Sequence, residues 1–406
     1  MSASRALAAI VVPLYLAHVG YSGLRLGELF FSAALVSLVI STLTGFASDR
    51  IGRKPFLVAV PLLVTLAGGL FAVTTRNWIL FAAASIGSIG RGAGAGAGQV
   101  GPYQPAESAY VTDSVEPRWR NDIFSRLSFA STFGALLGGL LAVALSPSHV
   151  TRLTAFSGYR SSFIAVAISA TLSFVLALFI VESRPNKHGK QVEGTMHSKA
   201  NETPEKRSRF FPRKSKSVLL KLWVTNSVNG MAVGMFGPFV TYWLYKRFGA
   251  DTATIGILYA VTNVTSLGSA VVASPLARRF KSVRTVSVVR LVQALLLVPL
   301  ALAPTLWVAG TIYVVRMFAQ RIGMPLRQSF VLALADPDER SRVAALSNLP
   351  AQGAVAASPL LAGYLFDEVS LSLPFVLGGI LQFINSVMYY WFFKDVQPVD
   401  EQPQSR

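Results

Sequence analysis

The ten residues 45–54 read Gly-Phe-Ala-Ser-Asp-Arg-Ile-Gly-Arg-Lys, and they separate two long apolar stretches of the chain. Four of the ten side chains are charged, and two of the residues are glycines. Charged side chains are costly inside a bilayer, and glycine adopts the backbone conformations that a tight turn needs. The stretch therefore predicts a charged hairpin turn at a membrane surface, with a membrane-spanning helix on either side.

The composition of the whole chain also indicates a membrane protein. Of the 406 residues, 52% are hydrophobic and only 14% are charged, whereas soluble domains carry about 25% charged residues. The chain has no cysteine, which excludes disulfides, thiolate metal sites and a cysteine nucleophile. The four histidines are scattered, and His18 alone is weak evidence for a metal site, so no metal and no cofactor is predicted.

Twelve stretches of the chain are long and apolar enough to cross a bilayer, which requires about 20 residues per helix. Backbone groups in hydrocarbon must be hydrogen-bonded within their own segment, so stretches of this length predict helices. The twelve predicted spans lie near 6–24, 28–47, 55–74, 78–101, 123–145, 160–182, 218–244, 254–276, 285–303, 306–333, 342–366 and 372–393.

Lysine and arginine are distributed unevenly between the predicted loops. One set of alternate loops carries most of them, and the other set holds only Arg25, Arg76, Arg152, Arg160, Lys246 and Arg247. The positive-inside rule then predicts a multi-pass protein of the cell membrane with both termini in the cytoplasm. The net charge of +18 is interpreted as a basic rim that faces anionic lipid headgroups, not as a nucleic-acid surface.

The chain divides into two related halves. Residues 184–216 are polar and basic and predict a cytoplasmic linker between an N-terminal bundle (1–183) and a C-terminal bundle (217–395), with a tail at 396–406. At a constant offset of 220, Pro105 matches Pro325 and Arg120 matches Arg340. Repeated halves around a midplane site are typical of secondary transporters. The predicted fold class is an all-α integral membrane protein with twelve transmembrane helices in two pseudo-symmetric six-helix bundles.

The pattern G-x-x-x-D-R-x-G-R-K at 45–54 resembles the signature loop between the second and third helices of the major facilitator superfamily. The resemblance implies two bundles that rock around a central cavity lined by spans one, four, seven and ten. It also implies a monomer, and a loop that latches the two halves in the outward-facing state. Carried onto this chain, the latch residues are Gly45, Asp49, Arg50, Gly52, Arg53 and Lys54, with Arg120 as a partner. The alternative for the basic residues is that they only anchor the loop in the cytoplasm.

The fourth span carries a second resemblance. Residues 91–98 read Arg-Gly-Ala-Gly-Ala-Gly-Ala-Gly, which is similar to the arginine and glycine motif of proton-coupled members of the superfamily, nearest to the drug:proton antiporter-like branch. The resemblance implies a role in proton transfer for Arg91. The alternative role for the glycines is close helix packing.

Ionisable residues inside predicted spans are functional candidates because they are costly in a bilayer. They are Arg91 and Glu107 in the fourth span and Arg316, Arg321 and Arg327 in the tenth, while Arg290, Arg126 and Lys221 lie close enough to span ends to reach the interface. Arg316, Gln320 and Arg327 share one helix face. The candidate substrate-binding residues are Arg316, Gln320, Arg327, Arg321, Tyr103, Tyr110, Tyr15 and Asn229. The alternative for Arg321 and Arg327 is contact with lipid headgroups.

Glu107 is the predicted proton carrier, and the offset of 220 makes it the symmetry mate of Arg327. The hypothesis is that the two residues face one another across the cavity, and the alternative is a static pair that fixes helix packing.

The predicted function is secondary active transport of a small solute by alternating access, with proton-coupled export of the multidrug type as the first reading. The excess of arginine in the tenth span favours a second reading, an importer or exchanger of small organic anions. A transport-inactive membrane sensor is the alternative of another class. An enzyme is not predicted, because the chain has no H-E-x-x-H, G-x-S-x-G or P-loop motif.

Overall fold

The computed structural model of the chain describes residues 1–87, 107, 110–111, 115, 119–147, 151, 154–180, 215–279, 282–334, 343 and 346–394. Every regular element within these residues is a helix. The helices are α1 (Ser2–Val19), α2 (Gly23–Ile51), α3 (Lys54–Val73), α4 (Asn77–Gly87), α5 (Arg120–Ala144), α6 (Ala155–Leu178), α7 (Lys216–Phe236), α8 (Val240–Phe248), α9 (Thr252–Arg279), α10 (Ser282–Leu295), α11 (Leu297–Ala301), α12 (Leu306–Leu334), α13 (Leu349–Glu368) and α14 (Leu373–Phe393).

Within the described residues, seven helices have a segment long and apolar enough to cross a membrane, and these are α1, α2, α3, α5, α6, α13 and α14. Two further segments, Asn77–Gly87 and Ser287–Ala301, are apolar but shorter. Many leucine, isoleucine, valine and phenylalanine side chains on these helices are exposed. An apolar exterior of this kind is what a helix bundle presents to lipid.

Two turns differ from the sequence prediction. The first predicted span ran over 6–24, but α1 ends at Val19 because Gly20 adopts a left-handed conformation with φ 101°. The amide of Tyr21 then donates to the carbonyl of Leu16 at 2.9 Å, which closes the helix end. The second predicted span ended near residue 47, but α2 continues to Ile51 and the turn falls at Gly52, where φ is 105°.

Two predicted spans are interrupted at prolines. The span predicted over 218–244 is divided into α7 and α8 by a 3₁₀ turn, Gly237–Phe239, that contains Pro238. The span predicted over 285–303 is divided into α10 and α11, three residues before Pro299. Proline has no amide hydrogen to donate to the carbonyl four residues earlier, so the helical ladder is broken at each position.

The helices form an N-terminal set, α1–α6, and a C-terminal set, α7–α14. In the first set α3 packs on α6 and α1 packs on α5 and α6; in the second, α13 and α14 pack on α7, and α10 packs on α12 and α14. The two sets contact each other through α2 with α13, α5 with α9, and α1 with α8. We call the end of the bundle at Gly20–Ser22, where α1 turns into α2, the Gly20 end, and the opposite end the Gly52 end.

Candidate functional site

Aromatic side chains from both helix sets meet at the Gly20 end. The rings of Phe30 in α2 and Phe239 lie 5.1 Å apart, edge to face. Phe239 also lies 4.9 Å from Phe366 in α13, and Tyr242 in α8 lies 6.1 Å from the same ring. All four side chains are buried. Edge-to-face aromatic pairs add to the free energy of burial, so these residues favour contact between the two sets at this end.

Polar side chains join the two sets beside the aromatic cluster. The hydroxyls of Tyr159 in α6 and Thr252 in α9 lie 3.0 Å apart, and both side chains are buried. His18, in the last turn of α1, contacts the ring of Tyr245 at 4.5 Å. Its Nδ1 lies 2.8 Å from the carbonyl of Leu14. His18 is isolated in the sequence of the first predicted span, and the structure places it between the two sets.

Small residues allow the closest approach between the sets. A Cβ atom on Gly256 in α9 would lie 2.9 Å from the carbonyl oxygen of Gly139 in α5. The same holds where α2 crosses α13: a Cβ on Gly363 would lie 2.9 Å from the Cα of Leu24. Small residues let membrane helices pack backbone against backbone. The two sets are therefore in direct contact at two crossings, α5 with α9 and α2 with α13.

Arg316 in α12 lies inside the C-terminal set and is 0% exposed. Its Nη2 donates to Oε1 of Gln382 in α14 at 3.2 Å, and its guanidinium lies 4.3 Å from the ring centre of Phe236 in α7. Its Nε has no hydrogen-bond partner, and it contacts no carboxylate among the residues that the structure describes. A buried guanidinium without a carboxylate is expensive.

Gln320 and Arg321, which were also predicted from the sequence, follow Arg316 in α12. Gln320 and Arg321 are half-buried, and the side-chain oxygen of Gln320 has no partner among the described atoms. Arg316 and Arg321 both lie within electrostatic reach of the Tyr313 hydroxyl. Tyr313 in turn contacts Tyr259 in α9, with ring centres 5.9 Å apart. The side chain of Arg327 lies outside the described residues.

Arg290 in α10 was set aside in the sequence analysis as a residue able to reach the membrane interface, and this expectation was wrong. Arg290 is only 6% exposed, donates to Oδ1 of Asn385 and stacks on Tyr389 at 4.5 Å. Asn385 donates in turn to the carbonyl of Thr225. Arg290 therefore belongs to a buried polar network that joins α7, α10 and α14.

The predicted residues of the N-terminal set are only partly described. Glu107 is half-buried and lies within electrostatic reach of the Met1 ammonium group. Tyr110 is half-buried. Tyr15 is fully buried and packs edge to face on Phe163 at 5.1 Å. Arg91 and Tyr103 lie outside the described residues. The structure thus does not test the pairing of Glu107 with Arg327.

The predicted latch residues lie at the Gly52 end. Arg53 and Lys54 are half-buried at the start of α3, and Gly52 forms the turn before them. The side chains of Asp49, Arg50 and Arg120 lie outside the described part of the chain, as does the side-chain environment of Gly45. Asn229, predicted to contact substrate, is half-buried in α7. The latch and the substrate contact of Asn229 stay predictions.

The fold and the contacts above define a membrane protein built from two helix sets that contact each other at the Gly20 end. The sequence profile of the Major Facilitator Superfamily matches residues 1–319 and 222–406. The chain therefore belongs to the Major Facilitator Superfamily, and it is a transporter-family protein, not an enzyme. This confirms the predicted family and fold class.

Named relatives have low sequence identity to this chain, but their alignments cover most of it. The multidrug resistance protein MdtG of Serratia proteamaculans is 24% identical over 94% of this chain and 88% of its own length. The class C tetracycline resistance protein of Escherichia coli is 25% identical over 80% of this chain and 76% of its own length.

Solved structures agree on the fold. A bacterial homologue of the human lysosomal transporter Spinster, in an inward-facing conformation, superimposes with a TM-score of 0.70 at 14% identity. That match covers 96% of this chain and 93% of the other. The inward-open xylose transporter XylE of Escherichia coli gives 0.67 at 18% identity, covering 97% and 93%.

Proposed function

We propose that this protein is a secondary active transporter that exports a small drug-like solute in exchange for protons, by alternating access. The observation that carries the proposal is the contact between the two helix sets at the Gly20 end, because alternating access requires one end of the cavity to close while the other opens. The names of the relatives, which concern multidrug and tetracycline resistance, support export of a drug-like solute.

The charge distribution supports an orientation for this state. Most lysines and arginines of the loops belong to the Gly52 end and the linker, so the positive-inside rule assigns that end to the cytoplasm. The closed Gly20 end then faces away from the cytoplasm, which is the arrangement expected of an inward-facing state. In this proposal both termini are cytoplasmic, the cell membrane holds the protein as a monomer, and the 45–54 stretch is the latch of the opposite state.

Replacing Glu107 with glutamine tests the proton coupling. Glutamine cannot bind and release a proton, so we expect tetracycline accumulation driven by an imposed pH gradient to fall to background in proteoliposomes. Exchange of labelled for unlabelled tetracycline, which needs no net proton movement, is expected to remain. Glu28→Gln, at an exposed acid of α2, is the matched control and should leave both activities intact. If both activities of Glu107→Gln equal those of the wild type, Glu107 is not the carrier.

Transport of small organic anions is a second candidate function, and the environment of Arg316 favours it. A fully buried guanidinium that touches an amide and an aromatic ring, but no described carboxylate, suits a carboxylate-bearing aromatic ligand.

The two candidates differ in the ligands that should stabilise the purified protein against heat. A ligand that binds only the folded state at about a hundredfold excess over its Kd raises the unfolding midpoint by a few °C. The anion candidate predicts that benzoate and salicylate do so, and that tetracycline, ethidium and glucose do not. If tetracycline or ethidium stabilises the protein and benzoate and salicylate do not, drug export is the better supported function.

A further inference from the structure

The start of α2 is capped by an acid from the other helix set. Asp367, in the last turn of α13, accepts the backbone amide of Gly23 at 2.7 Å with one carboxylate oxygen. Its second oxygen accepts the amide of Leu24 at 2.8 Å. We infer that this contact, which we call the Asp367 cap, is a gate element that holds the Gly20 end closed. The inference rests on the proposed alternating access.

The Asp367 cap completes the hydrogen bonding of the α2 N-terminus. The first four amides of a helix have no partner inside it. In α2 the amide of Arg25 donates to the hydroxyl of Ser22 at 3.3 Å, and the amide of Leu26 makes the first bond within the helix, to the carbonyl of Ser22 at 3.1 Å. The first two donate to Asp367. Of the three α2 amides that precede that of Leu26, the turn therefore satisfies one, and the opposite helix set supplies the acceptors for the other two.

Electrostatics and packing support the same reading. The N-terminus of a helix carries a partial positive charge, which favours a carboxylate placed on it. Asp367 reaches this position because α2 and α13 cross closely: a Cβ on Gly27 would overlap the carbonyl of Pro359, and one on Gly23 would lie 2.9 Å from Oδ1 of Asp367. Both contacts join the same two helices over one helical turn, so the cap and the glycine crossing form a single interface.

The Asp367 cap stabilises only the conformation in which the Gly20 end is closed. Its donors belong to the N-terminal set and its acceptor to the C-terminal set, so separation of the two sets at the Gly20 end breaks both bonds at once. Asp367 is exposed, which lets water replace the carboxylate when the end opens. The cap therefore biases the closed state without locking it, as a reversible gate requires.

The chain offers a direct way to measure this bias, since it has no native cysteine. Spin labels on Thr75→Cys, between α3 and α4, and Leu302→Cys, after α11, report the separation of the two sets at the Gly20 end. Both positions are exposed. Double electron–electron resonance in lipid nanodiscs without substrate then gives the ratio of open to closed populations.

Asp367→Ala removes both acceptors, and we expect the ratio of open to closed to rise about 2- to 30-fold, the range that loss of a helix N-cap produces. Asp367→Asn keeps one oxygen acceptor but removes the charge, and should give a smaller rise. Glu368→Gln changes the neighbouring acid and should leave the ratio unchanged. Each variant is checked for an unaltered unfolding midpoint and a monodisperse elution profile.

An unchanged ratio in both folded Asp367 variants would overturn the inference, as would an equal rise in Glu368→Gln. Tetracycline transport by the doubly labelled parent is measured in parallel. A shifted ratio without any transport by the parent would leave the cap in place and count against the proposed function. Transport by the parent together with an unshifted ratio would count against the cap alone.

Discussion

Replacing Gly363 with leucine is expected to open the Gly20 end and to reduce transport at least about tenfold. A Cβ at this position would lie 2.9 Å from both the carbonyl carbon of Gly23 and the Cα of Leu24. Backbone atoms cannot rotate away as a side chain can, so α2 and α13 must separate to admit leucine. Overpacking of this kind costs about 1–3 kcal/mol, and here the cost applies only to the conformation in which the two helices touch. The open-to-closed ratio should therefore rise about 5- to 150-fold.

The same helix contains a matched control for this substitution. Gly353 also lies in α13, but a Cβ there would meet no atom within 4 Å. Leucine favours helix over glycine by close to 1 kcal/mol, so Gly353→Leu should preserve the population ratio and the transport rate. The measurements are the distance between the labels at Thr75 and Leu302 and the exchange of tetracycline in proteoliposomes. Equal behaviour of the two leucine variants would show that the α2–α13 crossing does not control closure.

The fold class could be predicted from the sequence because a bilayer permits few backbone structures. Apolar stretches of span length must be helices, and the charged turn near Gly52 marks where two of them meet. The internal offset of 220 then divided the chain into related halves. The turn at Gly20 also had a visible signal, a glycine followed by Tyr21 and the potential cap Ser22. It was missed because the apolar residues continue on both sides of it.

The contacts between the halves could not be predicted in the same way. Asp367 lies at the edge of a predicted span, where a charged side chain can reach water and so does not indicate a function. Its partners are backbone amides 344 and 343 positions away in the chain, and backbone amides leave no trace in a sequence. The spacing of Gly23 with Gly27, and of Pro359 with Gly363, was a usable signal of close helix packing. Close helix packing was predicted only for the glycines of the fourth span.

Arg290 illustrates a second limit. Its distance from the end of a span allowed its side chain to reach the interface, but distance along a helix does not say which face the residue occupies. Asn385 and Tyr389 on α14 decide that face, because they supply an acceptor and an aromatic surface inside the C-terminal set. Arg316 was correctly singled out as costly, but its neighbours Gln382 and Phe236 could not be derived from α12 alone.

Replacing Arg316 with methionine is expected to change thermal stability little while removing the binding of organic anions. Methionine fills a similar volume and keeps a favourable contact with Phe236. Oε1 of the buried Gln382 loses its donor, at a cost of about 1–3 kcal/mol, while Nε2 of Gln382 still donates to Gln293. The substitution also deletes a buried charge that no described carboxylate compensates, which offsets that cost, so the unfolding midpoint in detergent should change by only a few °C. Loss of charge-assisted hydrogen bonds should weaken the binding of benzoate about 10- to 150-fold.

Arg290→Met is the matched comparison, because it removes the other buried arginine of the same helix set. Here the guanidinium bonds to Asn385, and its loss leaves a buried amide oxygen without that donor, at a cost of about 1–3 kcal/mol. The unfolding midpoint should fall by about 2–10 °C, and the protein that remains folded should bind benzoate as the wild type does. The benzoate affinities of the two variants separate a ligand-binding guanidinium from a structural one. Benzoate binding that stays unchanged in Arg316→Met would make Arg316 a structural residue, and the case for an anionic solute would lose its main support.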